Sequence, residues 1–90
     1  MNELCILRGK ILELDTELLN LLSRRGEIVK KIGKEKMKLD IKINDPKREN
    51  ELLHQLTALN CGPYGNTMIE KIYKELFQIS KELQETLNDN

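Results

Sequence analysis

Arg25 stands where a helix of this kind should carry another leucine. Leu4, Leu7, Ile11, Leu14, Leu18, Leu21, Arg25, Ile28 and Ile32 follow one another at steps of three and four, the spacing of a single stripe along a long helix. Eight of these nine residues are Leu or Ile. A guanidinium keeps its proton, and burying it unpaired is expensive. Either a carboxylate meets Arg25 or the seam opens onto a binding site. Ser80 and Gln84 repeat the anomaly near the other end of the chain: they lie four residues apart, on a helix face that is otherwise Leu and Ile. Arg8 and Lys36 each follow a seam position by one residue, and Lys36 falls three turns beyond Arg25 on about the same side. Two arginines, a lysine, a serine and a glutamine would line a cavity rich in donors and positive charge. Such a cavity suits a small dianion, because arginine grips a carboxylate through two parallel hydrogen bonds.

Taken singly, these residues have ordinary explanations. A lone arginine in a heptad seam is more often a structural ion pair or a register device than a ligand. An isolated lysine on a helix is usually a solvated charge, and a core serine usually bonds back to its own helix. Asp45 is fully explained as a helix N-cap, and Arg48 and Glu49 in the following turn are usually solvated. His54 has no second ligand at metal spacing. Tyr73 and Phe77 suit a core better than a stacking platform. The sequence has no nucleophile paired with a base, no metal-ligand cluster and no glycine-rich phosphate loop. Chemistry at this site would therefore run on charge and shape, not on a covalent intermediate, a metal or a cofactor.

Three helices must position these groups. The first is expected from about Glu3 to Leu39, which at 1.5 Å per residue is about 55 Å long. A compact chain of 90 residues has a radius of gyration near ~12 Å. The helix is thus too long for one copy to cover, and the simplest partner for its stripe is a second copy. Gly26 and Gly33, one heptad apart, are either tolerated or mark the close approach of another helix. Residues Lys38 to Asn44 lose the periodicity and form a loop. Asp45-Pro46 opens the second helix, with an acidic N-cap and proline at the first helical position. Its stripe is Leu52, Leu53, Leu56 and Leu59, and Asn60-Cys61-Gly62-Pro63 ends it. After the Tyr64-Gly65-Asn66 turn, Thr67 and Glu70 are expected to form a capping box for the third helix. Its inward stripe is Ile69, Ile72, Tyr73, Leu76, Ser80, Leu83 and Leu87, flanked by Gln84. The final Asn88-Asp89-Asn90 is expected to fray.

Composition narrows the class. Ninety residues make one domain, spanning 1–90. One Phe, two Tyr and no Trp, with 33% charged residues, describe an all-α bundle. Fifteen basic side chains cancel fifteen acidic ones, which argues against nucleic acid as a partner. No apolar run approaches the roughly 18 residues of a membrane span, and Met1-Asn2-Glu3 does not begin a signal peptide. Cys5 and Cys61 match no metal or redox spacing and are expected as free thiols in a cytoplasmic protein.

Over nearly its whole length the chain resembles the all-helical chorismate mutases. Three stretches carry the likeness. The first is Leu7-Arg8 with Ile11, Leu14-Asp15, Leu18-Leu19, Leu21-Leu22 and Arg25. The second is Ile32-Gly33-Lys34-Glu35-Lys36, then a loop and Asp45-Pro46-Lys47-Arg48-Glu49. The third is Ile69 to Phe77 with Ser80 and Gln84. The resemblance implies an intertwined helical homodimer built on paired first helices, and the Claisen rearrangement of chorismate to prephenate. It implies that Arg8 reaches a substrate carboxylate in the partner's site and that Arg25 holds one in its own. Lys36 and Gln84 would donate to the ether oxygen of the breaking bond. Asp45 and Glu49 would lie near the substrate hydroxyl with Arg48 beside them, and Ser80 near a carboxylate. The Gly62-Pro63-Tyr64 turn and the Tyr73 to Gln84 stretch look most like mutase domains fused to 3-deoxy-heptulosonate-7-phosphate synthase in Gram-positive bacteria. Such a synthase is therefore an expected partner. Three alternatives share the pattern: an isochorismate-pyruvate lyase, a module that binds chorismate or prephenate to signal to an attached synthase, and an inert helical adaptor. The Asp45-x-x-Arg48-Glu49 segment favours the mutase over the lyase.

Overall fold

A computed structural model describes residues 2–89. It is all-helical over that range: α1 (Glu3–Lys38), α2 (Pro46–Leu59), α3 (Asn66–Glu85) and a closing 3₁₀ turn (Thr86–Asp89). α1 starts where Asn2 caps it, with Asn2 Oδ1 accepting from the Cys5 amide at 2.8 Å. It stops within a residue of the expected boundary, and the stop is a Schellman-type turn. Ile41 N donates to Lys36 O at 2.8 Å and Asp40 N to Met37 O at 3.2 Å, with Asp40 in the left-handed region at φ 55°. Aspartate tolerates that conformation better than most side chains. The turn folds the loop back over the last turn of α1. α2 opens as expected, with Pro46 in its first turn and Asp45 Oδ1 accepting from Arg48 N at 3.1 Å.

Two local expectations need correction. α3 begins at Asn66 with Gly65 as its N-cap and no side-chain cap, so Thr67 and Glu70 make no capping box. The start of the helix is set by Asn60 instead, whose Nδ2 donates to Tyr64 O and to Asn66 Oδ1, each at 2.8 Å. Asn88 and Asp89 continue as the 3₁₀ turn instead of fraying, while Asn90 lies outside the described residues.

α3 packs against both α1 and α2, and those two meet through it. The core is thin. Val29, Leu53 and Phe77 are its buried apolar side chains, and Gln84 is buried with them. Of the expected inward stripe of α3, Ile69, Tyr73, Leu76, Ser80, Leu83 and Leu87 are half-buried and Ile72 is exposed. Phe77 and Gln84 point into the chain, whereas Ile72 and Ile79 are exposed. With Leu76 they border an apolar groove shared with Leu18, Leu21 and Leu22 of α1. Leu59, placed on the stripe of α2, is 78% exposed. All eight aliphatic positions of the α1 seam are exposed as well. The molecule measures 56 × 30 × 15 Å, with a radius of gyration of 16.5 Å, well beyond the compact value.

Gly33 explains how α3 lies so close to α1. A Cβ there would stand 2.9 Å from Leu87 Cδ1 and 3.0 Å from Gln84 Cγ, whereas one on Gly26 would meet Leu83 Cδ2 at an ordinary 3.6 Å. Of the two explanations for these glycines, Gly33 carries the close approach. Gly26→Ala is expected to gain up to about 1 kcal/mol from helix propensity. Gly33→Ala is expected to lose about 1–2 kcal/mol to overpacking. Thermal unfolding at matched protein concentration checks this, and shifts of the same sign in both variants would contradict it.

Candidate functional site

α1, α2 and α3 enclose a cavity of about 200 Å³, open on one side. It is lined by Arg25, Lys36, Asp45, Arg48, Glu49, Ser80 and Gln84, together with Lys81 and an apolar floor that includes Val29, Ile32, Leu52 and Phe77. Seven of the eight site residues singled out in the sequence therefore meet in one place. The eighth, Arg8, does not. It lies 17 residues before Arg25 on the same helix, which is about 25 Å, and its surroundings are exposed.

Lys36 and Gln84 are oriented by backbone carbonyls, and Arg25 by a serine that is itself bonded to one. Arg25 Nη1 donates to Ser80 Oγ at 2.7 Å, and Ser80 Oγ donates in turn to Leu76 O at 2.7 Å. The serine thus does what a core serine ordinarily does and also holds the guanidinium. Among the described residues no carboxylate lies within ion-pair distance of Arg25, so it forms no structural ion pair with any of them. Its other N–H groups remain for a ligand, since a guanidinium carries five. Lys36 Nζ donates to Ile43 O at 2.9 Å. The Asp40 turn makes that bond possible by bringing the loop back beneath α1. An ammonium has three protons, so two remain. Gln84 Nε2 donates to Val29 O across the α1–α3 contact at 3.1 Å. Its amide has a second N–H, and the side chain is only 7% exposed.

The α2 side is acidic at its base. Asp45 is half-buried and serves the helix as its cap. Glu49 turns inward to Lys81, with Oε2 3.1 Å from Nζ. Arg48 is mostly solvated and pairs loosely with Glu51 at 3.7 Å. The ordinary expectation for a first helical turn thus holds for Arg48 and fails for Glu49. Lys81 escaped the sequence analysis because a lysine next to a cavity serine looks like any other solvated helix charge. Its spacing of one turn from Gln84 was the available signal. Four cations, Arg25, Lys36, Arg48 and Lys81, face two carboxylates around the cavity, leaving an excess of two positive charges.

Comparison with known proteins points one way. Residues 7–85 match the family model for chorismate mutase type II. The chain is 33% identical over 91 residues to a bifunctional chorismate mutase/prephenate dehydratase of Aquifex aeolicus; the match takes in 97% of this chain but only a quarter of that protein. Among solved structures, chorismate mutase (form II) from Thermus thermophilus superposes with a TM-score of 0.91 at 40% identity, covering 93% of this chain and 96% of that one. The chorismate mutase of Helicobacter pylori, solved in complex with prephenate, gives 0.88 at 36% identity, covering 97% and 94%. Sequence and architecture thus agree over nearly the whole length, and the chain belongs to the type II chorismate mutase family.

Proposed function

We propose that this chain converts chorismate to prephenate and that the cavity between its three helices is the reaction site. The observation that carries the proposal is Arg25: a half-buried guanidinium with no carboxylate of its own among the described residues, aimed by Ser80 into a cavity with two surplus positive charges. A dicarboxylate is the complementary ligand. The rearrangement is pericyclic. The ether carbon–oxygen bond breaks as the new carbon–carbon bond forms, with no proton transfer and no nucleophile. A protein can then help in two ways. It can hold the enolpyruvyl arm over the ring in the reactive geometry, and it can stabilise negative charge growing on the ether oxygen.

Arg25 binds a substrate carboxylate, with Ser80 beside it. Lys36 and Gln84 donate to the ether oxygen through the N–H groups their carbonyl partners leave free. Asp45 and Glu49 accept from the ring hydroxyl, and Arg48 flanks them at the open side. The second carboxylate falls to Arg8 of another copy. That assignment is supported by the exposed α1 seam, the apolar groove next to Arg25 and the extended shape of the single chain. An intertwined homodimer would bury all three and carry each Arg8 into the neighbouring site. No described helix is long and apolar enough to cross a membrane, and the exposed free thiols of Cys5 and Cys61 fit a cytoplasmic protein. We also infer a mutase domain of the kind joined to 3-deoxy-heptulosonate-7-phosphate synthase, on the strength of the Gly62-Pro63-Tyr64 turn.

The primary test is direct: chorismate loss and prephenate formation followed by ultraviolet absorbance, with isochorismate in parallel. Arg25→Ala and Lys36→Ala are each expected to lower turnover at least on the order of 10²- to 10³-fold while far-ultraviolet circular dichroism stays that of the native protein. Near-normal kinetics in either would sink the assignment. Mixing inactive Arg8→Ala with inactive Arg25→Ala and allowing subunit exchange should restore one good site per heterodimer, and an unchanged baseline would rule out a shared site. Gln84→Glu is expected to work only in acid, where the carboxyl keeps a proton to donate, and to lose turnover as pH rises through its titration. A flat pH profile for that variant would remove Gln84 from its role as donor.

A further inference from the structure

Lys81 lines the cavity beside Ser80, yet the proposed mechanism gives it no task. Its ammonium stands 3.1 Å from Glu49 Oε2 and donates to Asn44 Oδ1 at 3.0 Å. Three pieces of chain converge on that one group: α3, the first turn of α2, and the loop that leaves α1. The side chains of the pair are 23% and 28% exposed, whereas the other ion pairs among the described residues are at least 39% exposed and join neighbours on a single helix. Exposed pairs of that local kind contribute little. The Lys81 pair differs in burial and in reach.

Its place matters because of the charge it meets. Glu49 and Asp45 are the two carboxylates of a cavity read above as a dianion site. A carboxylate free to face the entering ligand would repel it, and like-charge contact across an interface is costly. Removing Lys81 halves the positive excess around the cavity. It also frees Glu49 to swing outward, as its neighbour Arg48 already does. We propose that Lys81 is a positioning residue that acts through Glu49. It fixes that carboxylate at the cavity mouth and cancels its charge toward an incoming dicarboxylate. The inference rests on the mutase reading of the cavity.

The test is a cycle of Lys81→Met, Glu49→Gln and the double variant, with Lys81→Arg alongside, read by steady-state kinetics on chorismate. Lys81→Met keeps the length of the stem and is expected to raise KM on the order of tenfold while kcat changes less than about threefold. Lys81→Arg should restore most of the loss. In the Glu49→Gln background the same Lys81→Met change should move KM less than about twofold, because its target charge is gone. An equal penalty in both backgrounds would mean that Lys81 touches the substrate on its own account, and would overturn the proposal. So would an unchanged KM, or a loss confined to kcat. Failure of the mutase reading is separately visible, since wild-type protein would then leave chorismate untouched. In that case thermal unfolding of the same four proteins still tests the tie: additive shifts in Tm refute it, and non-additive shifts support it.

Discussion

A buried glutamine can exist in this thin core only because two conditions are met at once. Its amide nitrogen must find a carbonyl, and its methylenes must find room. Val29 O supplies the first and the bare Cα of Gly33 the second. An unsatisfied amide at that depth would cost a few kcal/mol. The distance between α1 and α3 is therefore set by a polar contact as much as by apolar packing. That distance in turn decides how far Arg25 stands from Ser80 and how Lys36 faces Gln84. The cavity is the space left when two helices are held at a spacing that a glycine permits and a glutamine requires.

The remaining apolar surface is divided between two sites of unequal size. A small cluster around Val29, Leu53 and Phe77 seats α3 in the chain. A larger area, the seam of α1 and the Ile72–Leu76–Ile79 side of α3, is left outside it. Burial drives folding roughly in proportion to the area removed from water, and the second surface is still in water in the single chain. In the proposed homodimer, folding and pairing would then be one process, as is usual where a protomer alone has a small core.

Much of this was legible beforehand, because the informative residues break a regular pattern. Arg25, Ser80 and Gln84 interrupt aliphatic stripes, and the Asp45-Pro46 cap marks its own helix start. Lys36 was harder to place. Its partner is a backbone carbonyl in a loop, and a carbonyl has no signature in sequence. Ile72 was misplaced on the inward stripe of α3 because it is as apolar as any core residue. A helix that is apolar on two adjoining faces does not reveal which one points into its own chain. Lys81 was invisible because its meaning depends on Glu49, 32 positions away in the chain, and ion pairs between helices leave no periodicity. The capping box expected at Thr67 does not form because a competing contact, from Asn60, ties down the start of the helix.

The three main donors, Arg25, Lys36 and Gln84, all trace back to main-chain oxygens, at Leu76, Ile43 and Val29. Substitution can remove a side-chain partner, but a carbonyl persists whatever residue bears it. Aim at Lys36 and Gln84 is thus inherited from the path of the backbone, whereas Arg25 reaches its carbonyl only through the Ser80 hydroxyl. Within such a scaffold, divergence should be tolerated least at the donors, at Ser80, at the carboxylates of the cavity with Lys81, and at the glycine beneath Gln84. The arrangement makes the geometry of Lys36 and Gln84 a property of the fold more than of the neighbouring sequence.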